Sequence, residues 1–254
     1  MKYNIIGDTH GRTKWKDLVL PDAINVFVGD YFSPYTYPEG IDYKQCQDTF
    51  FEIMKFKEEH PETILLLGNH DGEYFFTDDR TNRYDKENAN TIKELFNDDK
   101  DKFQIAVSLE NCVLVTHAGV TLDWFERYAD VEGLQKINDK TIDPNYVANF
   151  INELYNKGKY TAFDFQHNTK DYYDCYGETE THGPLWIRPD GLKKHNIFKD
   201  TKYYQVVGHT MDNKIKLLND TENIFIIDVL AYTKESLIID INEQGKIRFE
   251  INKK

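Results

Sequence analysis

Residues that could bind a metal ion follow the ends of several apolar runs in this sequence. Asp8 and His10 come directly after the run at 3–6 and lie two positions apart. In an extended segment, residues i and i+2 point to the same side, so both side chains can reach one point. A carboxylate oxygen and an imidazole nitrogen together suit manganese, iron or zinc. An isolated Asp-x-His triplet is more often a solvated polar pair, so the metal hypothesis needs further ligands elsewhere.

Further metal-competent residues follow four more apolar runs, each of which is predicted to be a strand. They are Asp30, Asn69 with His70, His117 and His209. A glycine within two residues of each allows a tight turn and a close backbone approach. Ligands of open α/β sheets gather at the carboxyl ends of strands, so the repeated pattern predicts one shared site. A single such histidine would more often be a hydrogen-bonded core residue, and the asparagine alone a turn residue.

The number and type of these ligands predict a centre with two metal ions. The oxygen and nitrogen donors are Asp8, His10, Asp30, Asn69, His117 and His209. Such a set is too large for one tetrahedral ion. Two ions about 3.5–4 Å apart, bridged by one carboxylate, would use all of the donors, and such pairs hold a bridging hydroxide and clamp a phosphoryl group for in-line attack. Two Mn²⁺ ions are expected, with Fe or Zn²⁺ as alternatives.

Length, composition and charge limit the classes of protein that fit. The chain has 254 residues, 40% of them hydrophobic, which is enough for one large core. We predict a single domain over 1–254 with a polar, acidic insertion at about 72–102. The insertion either covers the mouth of the site or is a solvated surface excursion, and the second reading is favoured. A formal net charge of -13 disfavours a broad nucleic-acid surface or an anionic-membrane surface.

The cysteine pattern and the N-terminus bear on the compartment. Cys46, Cys112 and Cys175 are odd in number and widely spaced, which argues against a disulfide framework and for a reducing compartment. Cys112 lies in an apolar run and is expected to be a buried thiol. No window approaches the ~18 apolar residues of a membrane span, and the first strand leaves no room for a signal peptide. A cytoplasmic location without a membrane is expected.

The elements that must position the candidate ligands are predicted from local pattern. Apolar runs predict strands at 3–6, 24–28, 63–67, 111–115 and 203–207. Helical spacing predicts helices at 43–60, 89–96, 121–128 and 143–155. The strand at 111–115 is expected to form a hairpin with 103–109. The short strands after residue 210 are predicted to form an antiparallel sheet.

The polar motifs appear in a characteristic order from residue 7 to residue 210. They are Gly7-Asp8-Thr9-His10-Gly11, Gly29-Asp30, Gly68-Asn69-His70-Asp71, His117-Ala118-Gly119 and Gly208-His209-Thr210. This series resembles the calcineurin-like metallophosphoesterases. More narrowly, it resembles the phosphoprotein phosphatase branch, which includes bacterial and phage Ser/Thr phosphatases and symmetrical diadenosine tetraphosphatases. The resemblance implies an α/β (α+β) fold, a four-layer αββα sandwich of two mixed β-sheets flanked by helices.

The resemblance also implies a role for each candidate ligand. Asp8 and His10 would hold the first ion, and Asp30 would bridge the two ions and so take part in catalysis. The residues that complete the second ion would be Asn69, His117 and His209.

Two further residues acquire catalytic roles from the resemblance. His70 would be the general acid that protonates the leaving oxygen, a task that suits histidine near neutral pH. Arg188 would bind phosphate through its planar guanidinium. The alternative reading of Arg188 is a surface arginine between two prolines, and Arg12 is a weaker candidate for the same task.

The chain departs from the family's pattern after the second glycine–aspartate motif. The branch usually continues Tyr-Val-Asp-Arg-Gly, whereas this chain has Tyr31-Phe32-Ser33-Pro34. Ser33 stands where an aspartate would orient the general acid, and Pro34 stands where an arginine would bind phosphate. A serine can accept a hydrogen bond from His70 but cannot stabilise an imidazolium by charge. Asp71 is the alternative partner for this histidine.

The expected function is therefore that of a dinuclear-metal phosphohydrolase. A metal-bridging hydroxide would attack a phosphomonoester, either phosphoserine or phosphothreonine in a protein or a small organic phosphate. The first alternative is a symmetrical dinucleoside polyphosphate hydrolase, which cleaves a phosphoanhydride. The second is a catalytically weak binding module of the same fold, which the intact ligand set argues against.

Overall fold

The structure, a computed structural model, describes residues 1–77, 80–131, 142–165, 174 and 176–254. The strands are β1 (Lys2–Ile6), β2 (Ile24–Phe27), β3 (Ile64–Leu66), β4 (Phe103–Gln104), β5 (Ala106–Leu109), β6 (Val113–Thr116), β7 (Tyr204–Val207), β8 (Lys216–Leu217), β9 (Ile224–Ile226), β10 (Glu235–Ile241) and β11 (Ile247–Lys253). The α-helices are α1 (Thr36–Glu39), α2 (Tyr43–Glu59), α3 (Asn69–Phe75), α4 (Ala89–Asp98), α5 (Leu122–Val131), α6 (Pro144–Asn156) and α7 (Pro189–His195). Short 3₁₀ helices lie at Lys14–Asp17, Lys100–Lys102 and Tyr160–Phe163.

The chain divides into two compact units, and each contains one mixed β-sheet. The first unit is formed by Met1–Gln104, Met211–Ile215 and Ile227–Lys254. The second unit is formed by Ile105–Thr210 and Lys216–Ile226. The predicted α/β class with two mixed sheets is confirmed. The single domain stays a prediction.

The sheet of the first unit brings three of the predicted strand ends to one edge. Its strand order is β11-β10-β1-β2-β3-β4. Strands β1, β2, β3 and β4 run parallel, and helix α2 provides the crossover from β2 to β3. Because neighbouring parallel strands end at the same edge, the loops that follow β1, β2 and β3 lie side by side.

The sheet of the second unit repeats this arrangement with fewer strands. Its order is β5-β6-β7-β9-β8. Strands β6, β7 and β9 are parallel, whereas β5 and β6 form an antiparallel hairpin. This confirms the predicted hairpin for 106–109, but not for 103–104, which form β4 of the first sheet. The carboxyl ends of β6 and β7 therefore lie at one edge, and His117 and His209 follow these two strands.

Buried aromatic side chains anchor the loop that follows β2. Tyr31 and Phe32 are fully buried, and the ring of Phe32 lies 5.2 Å from that of Phe50 on α2 and 5.8 Å from that of Phe96 on α4. Burial of aromatic rings in such clusters stabilises the fold through their large apolar area. Helix α4 belongs to the segment expected to be a solvated excursion. Since Phe96 is in the core, that expectation is wrong for α4.

Most of the predicted elements are present, and their caps explain why they begin where they do. The carboxylates of Asp42 and Asp143 accept hydrogen bonds from the N–H groups of Gln45 and Tyr146, both at 2.8 Å, at the starts of α2 and α6. The strands predicted after residue 210 pair antiparallel, as expected, in β8–β9 and in β10–β11. The prediction that they form one sheet is wrong. Strands β8 and β9 join the second sheet, where β9 runs parallel to β7, while β10 and β11 join the first.

The described cysteines and helices bear on the expected compartment. Cys46 is buried, and burial raises the pKa of its thiol to about 12. Cys112 is expected from the sequence to be buried, but it is half-buried in the structure. Cys175 lies outside the described residues. Within the described part of the chain, no helix is both long enough and apolar enough to cross a bilayer.

Candidate metal centre

Asp8, His10 and Asp30 come together in the first unit, behind the ends of β1 and β2. One potential ligand atom from each residue lies within 4.8 Å of the others. All three residues are buried, and the Nε2 atom of His10 is 3.4 Å from the Oδ2 atom of Asp30. Buried carboxylates are costly unless they are paired, hydrogen-bonded or bound to metal. The donor set of two carboxylates and one imidazole therefore fits a divalent transition metal.

The hydrogen bond of His10 orients its ring for metal binding. Its Nδ1 atom lies 2.9 Å from the carbonyl oxygen of Phe32, so Nδ1–H donates and Nε2 keeps its lone pair toward Asp30. Histidine ligands of metals usually donate their other N–H in this way. Burial, aided by the charge of Arg83, holds the pKa of His10 well below its usual range. The neutral ring is the form that binds metal.

Three candidate ligands have a left-handed backbone. The φ angles are 46° at His10, 56° at Asp30 and 62° at His209. Residues other than glycine seldom adopt this conformation, and such strain concentrates at functional sites. The hydrogen bond from the His10 N–H to the Asp30 carbonyl oxygen, at 2.7 Å, ties the first two loops together.

The carboxylate of Asp71 supports the loops that carry the trio. It accepts backbone hydrogen bonds from Asp30 at 2.7 Å, Tyr31 at 2.9 Å and Gly68 at 2.8 Å. The ends of β2 and β3 are therefore held by one buried side chain. The suggestion that Asp71 is the partner of His70 is wrong, because its oxygens are directed to these backbone groups.

Gly68 is required by the close approach of Asp30. A Cβ atom at this position would lie only 2.1 Å from the Oδ1 atom of that carboxylate. We therefore expect Gly68→Ala to displace the carboxylate and to weaken Mn²⁺ binding by about 10-fold or more, the loss typical when a ligand is misoriented. Titration of metal-stripped protein with Mn²⁺ measures the effect.

Gly40→Ala is the control for a glycine-to-alanine change without a steric clash. A Cβ atom added at Gly40 would have no neighbouring atom within 4 Å, whereas Gly68, with a φ of −100°, differs by the close approach of the carboxylate. The control should keep wild-type Mn²⁺ affinity. Wild-type affinity in the Gly68 variant as well would show that the close approach does not position the carboxylate.

His70 lies beside the trio at the start of α3, directly after the buried Asn69. Its backbone N–H donates to Oδ1 of Asp30 at 3.0 Å, and its ring centroid is 5.6 Å from that of His10. The Nδ1 atom is 2.8 Å from Oε1 of Glu73, and the Nε2 atom is 2.5 Å from Nη2 of Arg83. The ring is thus flanked by one carboxylate and one guanidinium.

Glu73 and Arg83 were not identified from the sequence as site residues. Glu73 is fully buried, and burial raises the pKa of its carboxyl to about 7. Glu73 is spaced i, i+3 from His70, which places both side chains on one face of a helix. A helix predicted to start at Asn69 would therefore have identified Glu73 as a partner of His70. The Ser33 hydroxyl is expected from the sequence to accept a hydrogen bond from His70. In the structure it lies 3.3 Å from the Tyr74 hydroxyl instead.

The second unit brings His117 and His209 together. The Nε2 atom of His117 lies 3.2 Å from Nδ1 of His209, and both side chains are buried. The Nε2 atom of His209 is 3.2 Å from the carbonyl oxygen of Trp186, which favours a proton on that nitrogen. The Nδ1 lone pair then faces the other ring, so the pair could hold one cation.

The two predicted phosphate-binding arginines already have partners within their own units. Nη1 of Arg188 donates to the carbonyl oxygen of His209 at 3.0 Å and to the Thr210 hydroxyl at 3.1 Å. Arg188 also lines a surface cleft of about 480 Å³. The fork of Arg12 binds both carboxylate oxygens of Glu39, at 2.7 and 2.6 Å. Phosphate binding by either arginine stays a prediction, and the ion pair makes it less favourable for Arg12.

The predicted site residues thus fall into two groups. The group in the first unit is Asp8, His10, Asp30, Asn69 and His70, and the group in the second unit is His117, Arg188 and His209. A common centre that contains both groups stays a prediction.

Comparisons with known proteins identify relatives of this arrangement. The profile of the calcineurin-like phosphoesterase family matches residues 1–220. No curated protein sequence matches significantly. A mutant of a cold-active protein tyrosine phosphatase is a similar solved structure, with 18% identity and a TM-score of 0.56 over 98% of this chain and 80% of that one.

Two further solved structures are similar to the chain. One is a protein serine/threonine phosphatase from Saccharomyces cerevisiae with similarity to human phosphatase PP5, at 14% identity and a TM-score of 0.56, covering 100% of this chain and 80% of that one. The other is a putative diadenosine tetraphosphatase, at 14% identity and a TM-score of 0.45, covering 99% and 93%. At such identities, the likeness to the two phosphatases shows the fold alone.

Proposed function

The chain belongs to the calcineurin-like phosphoesterase family, and from that premise we propose that it hydrolyses phosphomonoesters with two divalent metal ions. Membership makes it an enzyme, a metal-dependent phosphatase, as the sequence predicted. The observation that carries the finer proposal is the buried trio of Asp8, His10 and Asp30 beside His70. We expect the substrate to be a Ser/Thr-type phosphoprotein or a related phosphomonoester.

The candidate ligands divide between the two ions as the family's pattern implies. Asp8 and His10 would hold the first ion, and the Asp30 carboxylate would bridge both. The residues proposed for the second ion are Asn69, His117 and His209. Two bound ions would supply a nucleophile at neutral pH and a clamp on the phosphoryl oxygens. Oxygen and nitrogen donors favour Mn²⁺, with Fe or Zn²⁺ as alternatives.

His70 would deliver the proton that the leaving oxygen requires. In this role its Nε2–H donates to the oxygen of the departing alcohol, while the Thr81 hydroxyl, 3.3 Å from Nδ1, orients the ring and the Glu73 carboxyl lies 2.8 Å from the same nitrogen. In its ionised form the Glu73 carboxyl, whose pKa burial raises to about 7, would stabilise the imidazolium by charge. Glu73 thereby supplies what Ser33 cannot, and the departure from the family's pattern does not remove the acid.

A matched turnover assay tests the proposal. Metal-stripped protein should be inactive, and reloading with Mn²⁺ should restore hydrolysis of a phosphothreonine peptide, diadenosine tetraphosphate or an aryl phosphate. We expect the phosphomonoesters to be preferred. Preference for the dinucleotide would favour the phosphoanhydride hydrolase, and two bound ions without turnover of any substrate would favour a binding module.

Partners and location follow from the same proposal. The partners would be phosphorylated proteins, small organic phosphates or nucleotides. The net charge of -13 argues against a broad nucleic-acid-binding surface. The cytoplasmic location stays a prediction that rests on the cysteine pattern.

A further inference from the structure

We propose that Arg83 binds the phosphoryl group of the substrate, a task that Pro34 has no donor to perform. The inference rests on the proposed function and names a residue that this function would use. It is carried by the surroundings of the guanidinium, by the absence of an ion-paired carboxylate among the described residues, and by contacts with two side chains that lie beside His10.

Three neighbours fix the position of the guanidinium. Nη1 of Arg83 donates to the Ser33 carbonyl oxygen at 2.7 Å, and Nη2 donates to Nε2 of His70 at 2.5 Å. The central carbon lies 3.8 Å from the centroid of the Tyr35 ring, a cation–π contact. Because the side chain is half-buried and held in this way, little further ordering is needed for it to receive an anion.

The charge of Arg83 has no carboxylate partner among the described residues. No described Asp or Glu forms an ion pair with it, whereas Arg12 is held by both oxygens of Glu39. A guanidinium has five N–H donors, and two of its nitrogens are engaged in the contacts to Ser33 and His70. The remaining donors, and a positive charge that no described ion pair holds, suit a phosphate, which a guanidinium binds through two parallel hydrogen bonds.

Arg83 is also close to the buried trio. The Tyr35 ring that it covers lies 5.1 Å from the ring of His10, and the His70 ring that it contacts has its centroid 5.6 Å from that of His10. A substrate can approach the guanidinium from a surface cleft of about 420 Å³, which Arg83 lines together with Tyr35 and Tyr43. A phosphoryl group held beside His10 would therefore lie next to the guanidinium.

Phosphate binding by Arg83 would also release His70 for its own role. In the structure, the guanidinium occupies the Nε2 atom that must face the leaving oxygen. When a phosphate oxygen accepts the Nη2–H that now points to Nε2, this nitrogen can take up a proton from water and later donate it to the oxygen of the departing alcohol. One side chain would thus couple substrate binding to protonation and exposure of the acid.

The affinity of inorganic phosphate tests this role. Inorganic phosphate is measured as a competitive inhibitor of aryl phosphate hydrolysis by Mn²⁺-loaded protein, and its binding is measured again by calorimetry. Arg83→Ala should raise both Ki and KM by about 10- to 100-fold, the range expected for charge-assisted hydrogen bonds. Arg83→Lys, which keeps the charge and the contact with Tyr35, should fall between this variant and the wild type.

Arg80→Ala is the matched control, because Arg80 is a nearby arginine that donates to the Thr77 carbonyl and stacks on Tyr84. Its Ki for phosphate should stay within about 2-fold of the wild type. An unchanged Ki in both Arg83 variants would overturn the proposal, as would a fall in kcat with Ki and KM unchanged. An equal loss in Arg80→Ala would also overturn it.

The two proposals fail in distinguishable ways. Wild-type protein that binds phosphate through Arg83 but hydrolyses no phosphoester would retain the binding role and reject the proposed function. If the protein hydrolyses phosphoesters but its affinity for phosphate does not depend on Arg83, the proposed function is retained and the binding role of Arg83 is rejected. Thermal unfolding measurements check that each variant is folded. If Arg83→Ala is not folded, the Ki and KM of Arg83→Lys test the proposal.

Discussion

Asp30→Asn is expected to lose both metal ions and nearly all phosphatase activity. The amide keeps the shape of the side chain and an oxygen that can accept the His70 N–H, now bonded at 3.0 Å. It removes the negative charge that the trio would direct at the metals. Residues that merely orient a ligand cost about 10- to 100-fold when replaced, so a bridging ligand should cost more than about 100-fold in Mn²⁺ affinity.

The measurement is the Mn²⁺ content after desalting, together with kcat/KM for an aryl phosphate. His117→Asn is the control, because His117 is proposed to contact only the second ion. It should keep one tightly bound ion where the Asp30 variant keeps none. Two tightly bound ions in Asp30→Asn would reject the bridging role, and thermal unfolding close to that of the wild type would show that the fold is intact.

The ends of the strands were the part of the site most accessible from sequence. A short aliphatic run that stops at a glycine marks a strand end, and Asp8, Asp30 and Asn69 follow three such ends. Strands β1, β2 and β3 are parallel neighbours, so their ends meet at one edge of the sheet. Local pattern and this one rule of topology are sufficient to place three loops together.

The partners of His70 show where local pattern is misleading. Asp71 was the candidate because it is adjacent in sequence, but successive residues of a helix do not face each other. In α3 the next carboxylate on the same face is Glu73, which contacts the ring at 2.8 Å. Arg83 reaches the same ring from a polar segment without periodicity, so no spacing rule could have predicted it.

The strands after residue 210 show the same limit on a larger scale. Strand β8 has two residues and β9 has three, which is too short for alternation to identify a partner. Their places in the second sheet depend on tertiary pairing, with β9 beside β7. A prediction based on order along the chain therefore gave one antiparallel sheet where the structure has strands in two.

His70→Asn should lower kcat by about 100-fold or more with a phosphothreonine peptide, within the range typical for loss of a general acid. The loss should be much smaller with an aryl phosphate, whose phenolate leaves without a proton. The metal content should not change, because His70 is not proposed as a ligand. The measurement is kcat across a series of phosphomonoesters whose leaving groups differ in pKa.

His60→Asn is the matched control, since His60 lies at the end of α2, packed on Phe56 away from the proposed chemistry. It should keep wild-type kcat for every substrate. An equal loss across the leaving-group series in His70→Asn would reject the role of the acid. Because the substitution also removes the ring that Arg83 contacts, the affinity for inorganic phosphate should be unchanged or higher. This separates proton transfer by His70 from phosphate binding by Arg83, two roles proposed for side chains that lie 2.5 Å apart.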